Sequence, residues 1–159
     1  MAPRLREAVR AVVTDEEERL LLVCFGLPDG PLWAAPGGGI EDGESHEAAI
    51  RRELHEEVGL RDADVGPAIW RRTHLFAFSP EFDGQRETFY LVRIREEVNG
   101  PPAFSDQQLR AEGLIGSRWW TRAELTDSDG HRFAPKSLPD LYEALLTSGP
   151  PDEPIDAGE

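Results

Sequence analysis

The chain has 159 residues, a length typical of one domain that buries roughly two-thirds of its unfolded surface. Its 31 Asp and Glu residues against 17 Lys and Arg residues give a net charge of −14, which disfavours a nucleic-acid duplex or an anionic membrane as partner. A single cysteine, Cys24, excludes an internal disulfide, and no apolar run approaches the roughly 20 residues of a membrane span, so we expect a cytoplasmic protein.

Two strands are predicted before residue 30, over residues 8–13 and 20–25. The second is continuously apolar, as buried strands are, and it makes Cys24 a small core residue. A short extended piece follows at residues 32–34, where Trp33 suits either the core or a substrate pocket. Residues 36–39, Pro-Gly-Gly-Gly, are predicted to form a loop whose glycines permit close backbone approach.

A helix is predicted over residues 45–58. Ser45 is suited to cap its N-terminus, and Gly59 is suited to end it. The helical period aligns three apolar residues as a core-facing stripe and three glutamates on the adjoining face, namely Ile50, Leu54 and Val58, and Glu53, Glu56 and Glu57.

The glutamate cluster has two interpretations. Glu53 and Glu57 repel each other by roughly 0.2–0.5 kcal/mol as an i,i+4 pair. A solvated face would compensate through ion pairs of Arg52 with Glu56 and of Arg51 with Glu47. The alternative is a hard cation, because carboxylate oxygens are the ligands that Mg²⁺, Mn²⁺ and Ca²⁺ prefer.

Two longer strands are predicted next, over residues 68–78 and 86–94. His74 in the first suits a structural or surface role. In the second, strand alternation places Glu87 and Phe89 on one face. Glu87 stands at the strand entrance, where it either faces a metal site or is an exposed edge carboxylate.

The remaining elements are predicted as a loop at 96–106, a helical piece at 107–112 and a final strand at 115–119. Thr121 and Glu124 form a capping box for a short helix ending at Leu125. A C-terminal helix over residues 138–147 would turn Leu141, Ala144 and Leu145 inward. Residues 149–159, rich in proline and acids, are predicted to be a disordered tail.

The string from Gly38 to Leu60 decides between the two interpretations of the glutamates. Its nine specified residues match every fixed position of the Nudix box, at the required spacing: Gly38, Glu44, Arg52, Glu53, Leu54, Glu56, Glu57, Gly59 and Leu60. The preceding segment 33–38 also resembles the approach to that box. The sequence therefore resembles a Nudix hydrolase of the MutT-like kind.

This resemblance implies an α/β fold, an α/β/α sandwich around a mixed sheet, with one domain over residues 1–148. It also implies hydrolysis of a phosphoanhydride in a nucleoside diphosphate-linked small molecule, with Mg²⁺ or Mn²⁺ as cofactor, by a monomer or homodimer. By correspondence, the metal ligands would be Glu56, Glu57 and Glu53, with Glu53 as ligand or base. Arg52 would orient a glutamate, and Glu44 would complete the site or tether that arginine.

A further carboxylate from outside the box is expected in this family, and Glu87 and Glu112 are the candidates. Gly38, Trp33 and Phe89 are the predicted substrate-binding residues.

The substrate is less well defined. Phe76 stands where ADP-ribose pyrophosphatases have a proline, and the tyrosine of one diadenosine tetraphosphate hydrolase subgroup is missing nearby. The leading expectation is therefore a nucleoside triphosphate pyrophosphohydrolase. The alternatives are a hydrolase of ADP-ribose, another nucleotide sugar or a dinucleoside polyphosphate, and a non-catalytic nucleotide-binding regulatory module.

Overall fold

The structure is a computed structural model that describes residues 1–77, 79–95 and 101–158. Four helices occur in these ranges: α1 His46–Val58, α2 Asp106–Ala111, α3 Arg122–Thr126 and α4 Leu138–Ser148. Nine strands accompany them in the same ranges: β1 Leu5–Thr14, β2 Leu20–Leu27, β3 Gly30–Ala34, β4 Gly37–Gly39, β5 Asp64–Leu75, β6 Gly84–Arg93, β7 Leu114–Trp120, β8 Phe133–Ala134 and β9 Ile155–Asp156.

The strands form one mixed sheet in the order β8-β3-β2-β1-β6-β5-β9. Strand β4 also pairs with β1, and β7 also pairs with β2. At the centre, β1 and β6 run parallel from the pair Leu5 and Gly84 to the pair Thr14 and Arg93. The neighbouring pairs β1/β2 and β5/β6 are antiparallel.

Helices cover both faces of this sheet, because the strands at its centre alternate between two hydrophobic clusters. One cluster joins α1 to the sheet through residues that include Val9, Ala11, Val13, Ile50, Leu54 and Val92. The other joins α3 and α4 to the opposite face through residues that include Val12, Trp70, Phe89, Leu125, Leu138 and Tyr142. The predicted α/β/α sandwich is confirmed.

Several local predictions agree with the structure. Helix α1 is capped by Ser45 and Gly59, and α3 carries the capping box of Thr121 and Glu124. Cys24 is buried, 4% exposed. No helix in the described ranges has both the length and the apolar character needed to span a membrane.

The glycine-rich segment differs from its predicted loop. Gly37–Gly39 forms strand β4, whose residues pair with Ala8, Val9 and Arg10 of β1. A Cβ atom on Gly37 would lie 2.0 Å from the Val9 carbonyl oxygen, and Gly37 has φ +153°. Only glycine permits this close strand contact.

Other boundaries also differ from their predicted positions. Strand β5 begins at Asp64 and ends at Leu75, so the predicted strand 68–78 was placed too late. Its last predicted residue, 78, and residues 96–100 of the predicted loop lie outside the described residues. Strand β7 is not the final strand, since β8 and β9 come after it in the chain.

Two C-terminal predictions were wrong. Tyr142, not Ala144, faces the core: its hydroxyl is 2.7 Å from Thr14 Oγ1, whereas Ala144 is exposed. The tail predicted to be disordered forms β9, which pairs with β5. Ala157 is buried, and its N–H donates to the Arg71 carbonyl oxygen at 2.7 Å. The backbone of this tail therefore pairs with the edge of the sheet, although the segment is acidic and rich in proline.

Candidate active site

Helix α1 presents its glutamates to β4 because its apolar stripe is anchored to the sheet. Ala49, Ile50 and Leu54 are fully buried, 0% exposed, which sets the rotation of the helix about its axis. The Ser45 hydroxyl accepts a hydrogen bond from the Ala48 N–H at 3.1 Å, which caps the first turn. Glu53 and Glu57, which lie beside this apolar stripe on the helix surface, then face β4.

Glu57 lies deepest in this group. It is 7% exposed, and its Oε1 accepts a hydrogen bond from the Gly37 N–H at 2.8 Å. Burial, followed by repulsion from Glu53, raises the pKa of Glu57 to about 8. Arg10 and the Gly37 N–H oppose this shift without cancelling it. Glu57 therefore stands in a site that lacks sufficient positive charge.

Gly38 makes room for the carboxylate of Glu53. A Cβ atom on Gly38 would lie 2.6 Å from Glu53 Oε1, closer than such contacts occur. Burial raises the pKa of Glu53, and the charge of Arg52 only partly opposes that effect. The glycine predicted to bind substrate is thus the residue against which Glu53 packs.

Arg52 ties the remaining glutamates together. Its Nε and Nη2 donate to the two oxygens of Glu44, at 2.8 and 2.9 Å, which is a bidentate ion pair. Its Nη1 donates to Glu53 at 3.0 Å and to Glu56 at 3.3 Å. The hydrogen bond from Arg52 holds the pKa of Glu44 below its ordinary value. The predicted pairing of Arg52 with Glu56 is confirmed, as is that of Arg51 with Glu47, at 3.0 Å.

The donor set suits a hard divalent cation in its chemistry. Glu53, Glu56 and Glu57 supply carboxylate oxygens, and two of these groups carry raised pKa values that a nearby cation would reverse. In the positions that the described residues take here, no three or more His, Cys, Asp or Glu side chains are grouped to hold a metal ion. Arg52 forms ion pairs with Glu53 and Glu56 and is therefore their counterion in this structure.

Glu87 is not brought to the helix glutamates. Its Oε2 accepts from Arg10 Nε at 2.7 Å and its Oε1 from Arg72 Nη1 at 2.8 Å. Burial alone would raise the pKa of Glu87, but the charges of Arg10 and Arg72 outweigh it and hold the pKa below its ordinary value. Strand alternation turns Glu87 to the sheet face opposite α1, so its candidacy as a metal ligand is not supported.

Glu112 keeps its candidacy as the outside carboxylate. It is exposed at the C-terminal end of α2, and its charge contributes to raising the pKa of Glu57. Segment 101–104 approaches α1 nearby, where the Phe104 N–H donates to the Glu56 carbonyl oxygen at 3.1 Å. The end of α2 therefore lies within electrostatic reach of the glutamate cluster.

A cleft of about 760 Å³ opens on the sheet face that carries Glu87. Arg10 and Arg72 form part of its wall, together with five ring-bearing side chains: Phe25, His74, Phe76, His131 and Phe133. Arg10 also donates to the Gly37 carbonyl oxygen at 3.3 Å, and Gly37 donates to Glu57. The cleft is therefore connected to the glutamate cluster through Arg10 and β4.

Two predicted substrate-binding residues lie elsewhere. Phe89 is 1% exposed and packs on Trp70 with ring centroids 5.6 Å apart, so this prediction was wrong and its ring belongs to the core. Trp33 packs edge-on against buried Trp120 at 5.2 Å, as a half-buried neighbour of the same core. Of the two roles that the sequence left open for Trp33, these contacts favour packing.

Sequence reasoning missed Arg10 and Arg72. Each is a charged residue within a strand, on a face shared with a core residue two positions away: Val12 for Arg10 and Trp70 for Arg72. An arginine at such a position must be paired or must line a cavity, because an isolated buried charge is costly. The alternation of side chains along these strands was therefore the sequence signal that could have identified Arg10 and Arg72.

Known proteins match both the sequence and the fold. The NUDIX domain family matches residues 4–141. An RNA pyrophosphohydrolase from Saccharophagus degradans is 38% identical over an alignment 166 positions long, and the match covers 92% of this chain and 93% of that protein. An RNA pyrophosphohydrolase from Pseudoalteromonas translucida is 40% identical over 80 residues, and here the match spans 42% of this chain and about half the length of the relative, 46%.

Among solved structures, a NUDIX hydrolase from Nitrosomonas europaea superposes with a TM-score of 0.69 at 16% identity, covering 100% of this chain and 82% of that one. The layered sheet and the box helix define the class, and the family match completes the assignment. This chain belongs to the NUDIX family. Members of that family generally use divalent metal ions such as Mg²⁺ or Mn²⁺.

Proposed function

We propose that this protein is a Nudix pyrophosphohydrolase that cleaves a phosphoanhydride bond with the aid of a divalent cation. The observation that carries the proposal is the glutamate cluster of α1, in which Glu53 and Glu57 are largely buried beside β4 without enough positive charge. A surface laced with ion pairs would leave these carboxylates with ordinary or lowered pKa values. Their raised values support a site that is completed by a cation.

Each side chain has a role in this proposal. Glu56, Glu57 and Glu53 would hold Mg²⁺ or Mn²⁺, with Glu53 as a ligand or as the base that accepts a proton from the attacking water. A bound divalent cation neutralises phosphate oxygens and lowers the pKa of water. Arg52 orients Glu53 and Glu56, and Glu44 fixes Arg52 through its bidentate pair. Glu112 would be the carboxylate recruited from outside the box.

The substrate class favoured by the cleft is a nucleotide. Aromatic and imidazole rings suit a planar base, and Arg10 lies between the cleft and the glutamates, where a phosphate chain would pass. We propose a nucleoside triphosphate as the leading substrate. A cytoplasmic monomer or homodimer acting on a small molecule fits the net charge of −14, which opposes extended polyanions.

A second candidate substrate is an RNA. The relative that covers 92% of this chain is an RNA pyrophosphohydrolase, and this name supports RNA as the carrier of the scissile anhydride. The two candidates share the chemistry and differ in whether further nucleotides are joined to the one that carries the phosphate chain.

The test is hydrolysis of a substrate panel by the purified protein with Mg²⁺ or Mn²⁺. The panel contains GTP, ATP, ADP-ribose, a dinucleoside tetraphosphate and an RNA with a 5′ triphosphate, and products are separated by anion exchange. We expect pyrophosphate release from a nucleoside triphosphate, with an at least tenfold higher kcat/KM for the RNA if the second candidate holds. Binding of panel members with no turnover would overturn the proposal in favour of a nucleotide-binding module.

A further inference from the structure

Arg72 is a buried cation that the proposed chemistry does not use. It is 7% exposed, and its Nη1 donates to Glu87 at 2.8 Å. Its Nε is buried and has no hydrogen-bond partner in the part of the chain that the structure describes. A buried N–H donor without a partner is costly to the folded protein and is a place where an acceptor is expected.

The position of Arg72 on β5 puts it in the wall of the cleft. Trp70, Arg72 and His74 alternate onto one face of the strand. Trp70 packs on Phe89 in the core, while Arg72 and His74 line the cleft. Arg72 is opposite Glu87 in the sheet register, so backbone pairing and the ion pair both hold its guanidinium in place.

The charge of this group is not balanced. Glu87 is the acceptor for both Arg10 and Arg72, so two guanidinium groups face one carboxylate. The pKa of Glu87 lies below its ordinary value, which keeps that carboxylate ionised and bonded to both arginines. Arg10 and Arg72 therefore outnumber the one carboxylate between them, and Arg132 and Lys136 add further cationic side chains to the same cleft wall.

Of Arg10, Glu87 and Arg72, it is Arg72 that is separated from the glutamate cluster by the most contacts. Contacts run from Glu57 to Gly37 at 2.8 Å, from Gly37 to Arg10 at 3.3 Å, and through Glu87 to Arg72. Phosphates held beside Glu57 would direct the base of a nucleotide toward Arg72. Aromatic rings line the same cleft and offer faces on which a base can stack.

We propose that Arg72 is a specificity-determining residue that selects a 6-oxopurine base over a 6-aminopurine base. This inference rests on the proposed function, in which the cleft receives a nucleotide. A 6-oxopurine presents two adjacent acceptors, O6 and N7, that match two parallel N–H donors of a guanidinium group. A 6-aminopurine presents an amino donor in place of O6, and that donor meets a cation that can accept no hydrogen bond.

The test measures binding of nucleoside monophosphates, which contain no anhydride bond to hydrolyse. GMP, IMP and AMP are titrated calorimetrically into metal-free wild type, Arg72→Met and Arg72→Lys. We expect wild type to bind GMP and IMP with similar Kd values, at least tenfold below that for AMP. IMP lacks the 2-amino group of GMP, so equal binding of the two assigns the selection to the O6 and N7 edge.

Arg72→Met should bring the three Kd values within about twofold of one another. Arg72→Lys keeps a cation beside Glu87 but loses the forked pair of donors, so it should lower the preference for GMP and IMP over AMP by at least threefold. This variant decides the question if Arg72→Met fails to fold. The matched control is Arg71→Gln, whose exposed side chain lies on the other face of β5 and whose loss should leave the selectivity unchanged.

A purely structural Arg72 would weaken all three ligands equally, and a phosphate-binding Arg72 would do the same. Either result, or equal wild-type binding of GMP and AMP, overturns the inference. The proposed hydrolysis fails separately: a protein that selects GMP through Arg72 but cleaves no member of the substrate panel would retain this inference and lose the enzymatic one.

Discussion

At the scale of single residues, Arg52 is the group around which the glutamates of α1 are arranged. It contacts Glu44, Glu53 and Glu56 within 3.3 Å, whereas its neighbour Arg51 pairs with exposed Glu47. Both arginines form i,i+4 ion pairs, yet only Arg52 faces buried carboxylates. The two side chains therefore form a matched pair for separating a site role from a surface role.

We expect Arg52→Ala to lower kcat by more than tenfold, because Glu53 and Glu56 lose the donor that orients them. Arg51→Ala should change kcat by less than twofold. Steady-state kinetics on the best substrate of the panel measure both effects, and circular dichroism checks that each variant is folded. Equal decreases in kcat for the two variants would show that Arg52 has no role in the site beyond that of Arg51.

Glu57 makes the metal-free protein sensitive to pH. Its pKa rises from an ordinary 4.5 to about 8 on folding, so the folded state binds the proton more tightly than the unfolded state. The associated stability is complete below about pH 4.5 and is lost as the pH rises toward 8. The loss approaches about 1.4 kcal/mol per pH unit in that window.

Glu57→Gln should therefore flatten the decline in metal-free stability between pH 5 and 8. Urea unfolding at several pH values in EDTA measures it. Glu47→Gln, at an exposed position of the same helix, is the control that should keep the wild-type slope. Parallel slopes for wild type and Glu57→Gln would show that Glu57 keeps an ordinary pKa.

At the scale of elements, the C-terminal segment extends the sheet beyond the family match, which ends at residue 141. Strand β9 pairs with β5, and the Ser137 hydroxyl donates to the Ala157 carbonyl oxygen at 3.2 Å. Ala157 itself packs in the cluster that contains Trp70. These contacts tie the end of the chain to the strand that carries Arg72.

A chain that ends at Gly149 should be less stable by about 1–2 kcal/mol, because it loses hydrogen bonds worth roughly 0.5–1.5 kcal/mol each. The melting temperature should fall by roughly 2–8 °C. Ala157→Asp should act in the same direction, since it places a carboxylate in the core. Unchanged melting in both variants would instead support the disordered tail that composition predicts.

At the scale of the whole molecule, the proposed cation links stability to activity. A ligand that binds only the folded state raises its stability by mass action. We expect Mg²⁺ to raise the melting temperature of wild type and to have a much smaller effect on Glu57→Gln. EDTA should abolish turnover, and excess Mg²⁺ should restore it. Full turnover in EDTA would refute the metal-dependent mechanism.

Much of the architecture could be predicted because it depends on local chemistry. The period of apolar residues placed α1 and the main strands, and caps at Ser45, Gly59 and Thr121 marked helix ends. Pairings within one helix, such as Arg52 with Glu56, also follow from spacing. The sequence by itself therefore determined the family, the box helix and the set of glutamates on one of its faces.

The tertiary structure decided which distant residues meet. Glu87 was a candidate neighbour of the metal site. The pairing register of β6 and the sheet face on which Glu87 lies instead place its carboxylate between Arg10 and Arg72. Gly37–Gly39 forms a strand because its backbone pairs with that of β1. The tail forms β9 because its backbone pairs with the open edge of β5. Such partners come from strands far apart in the chain, and no local period or cap encodes which two strands will pair.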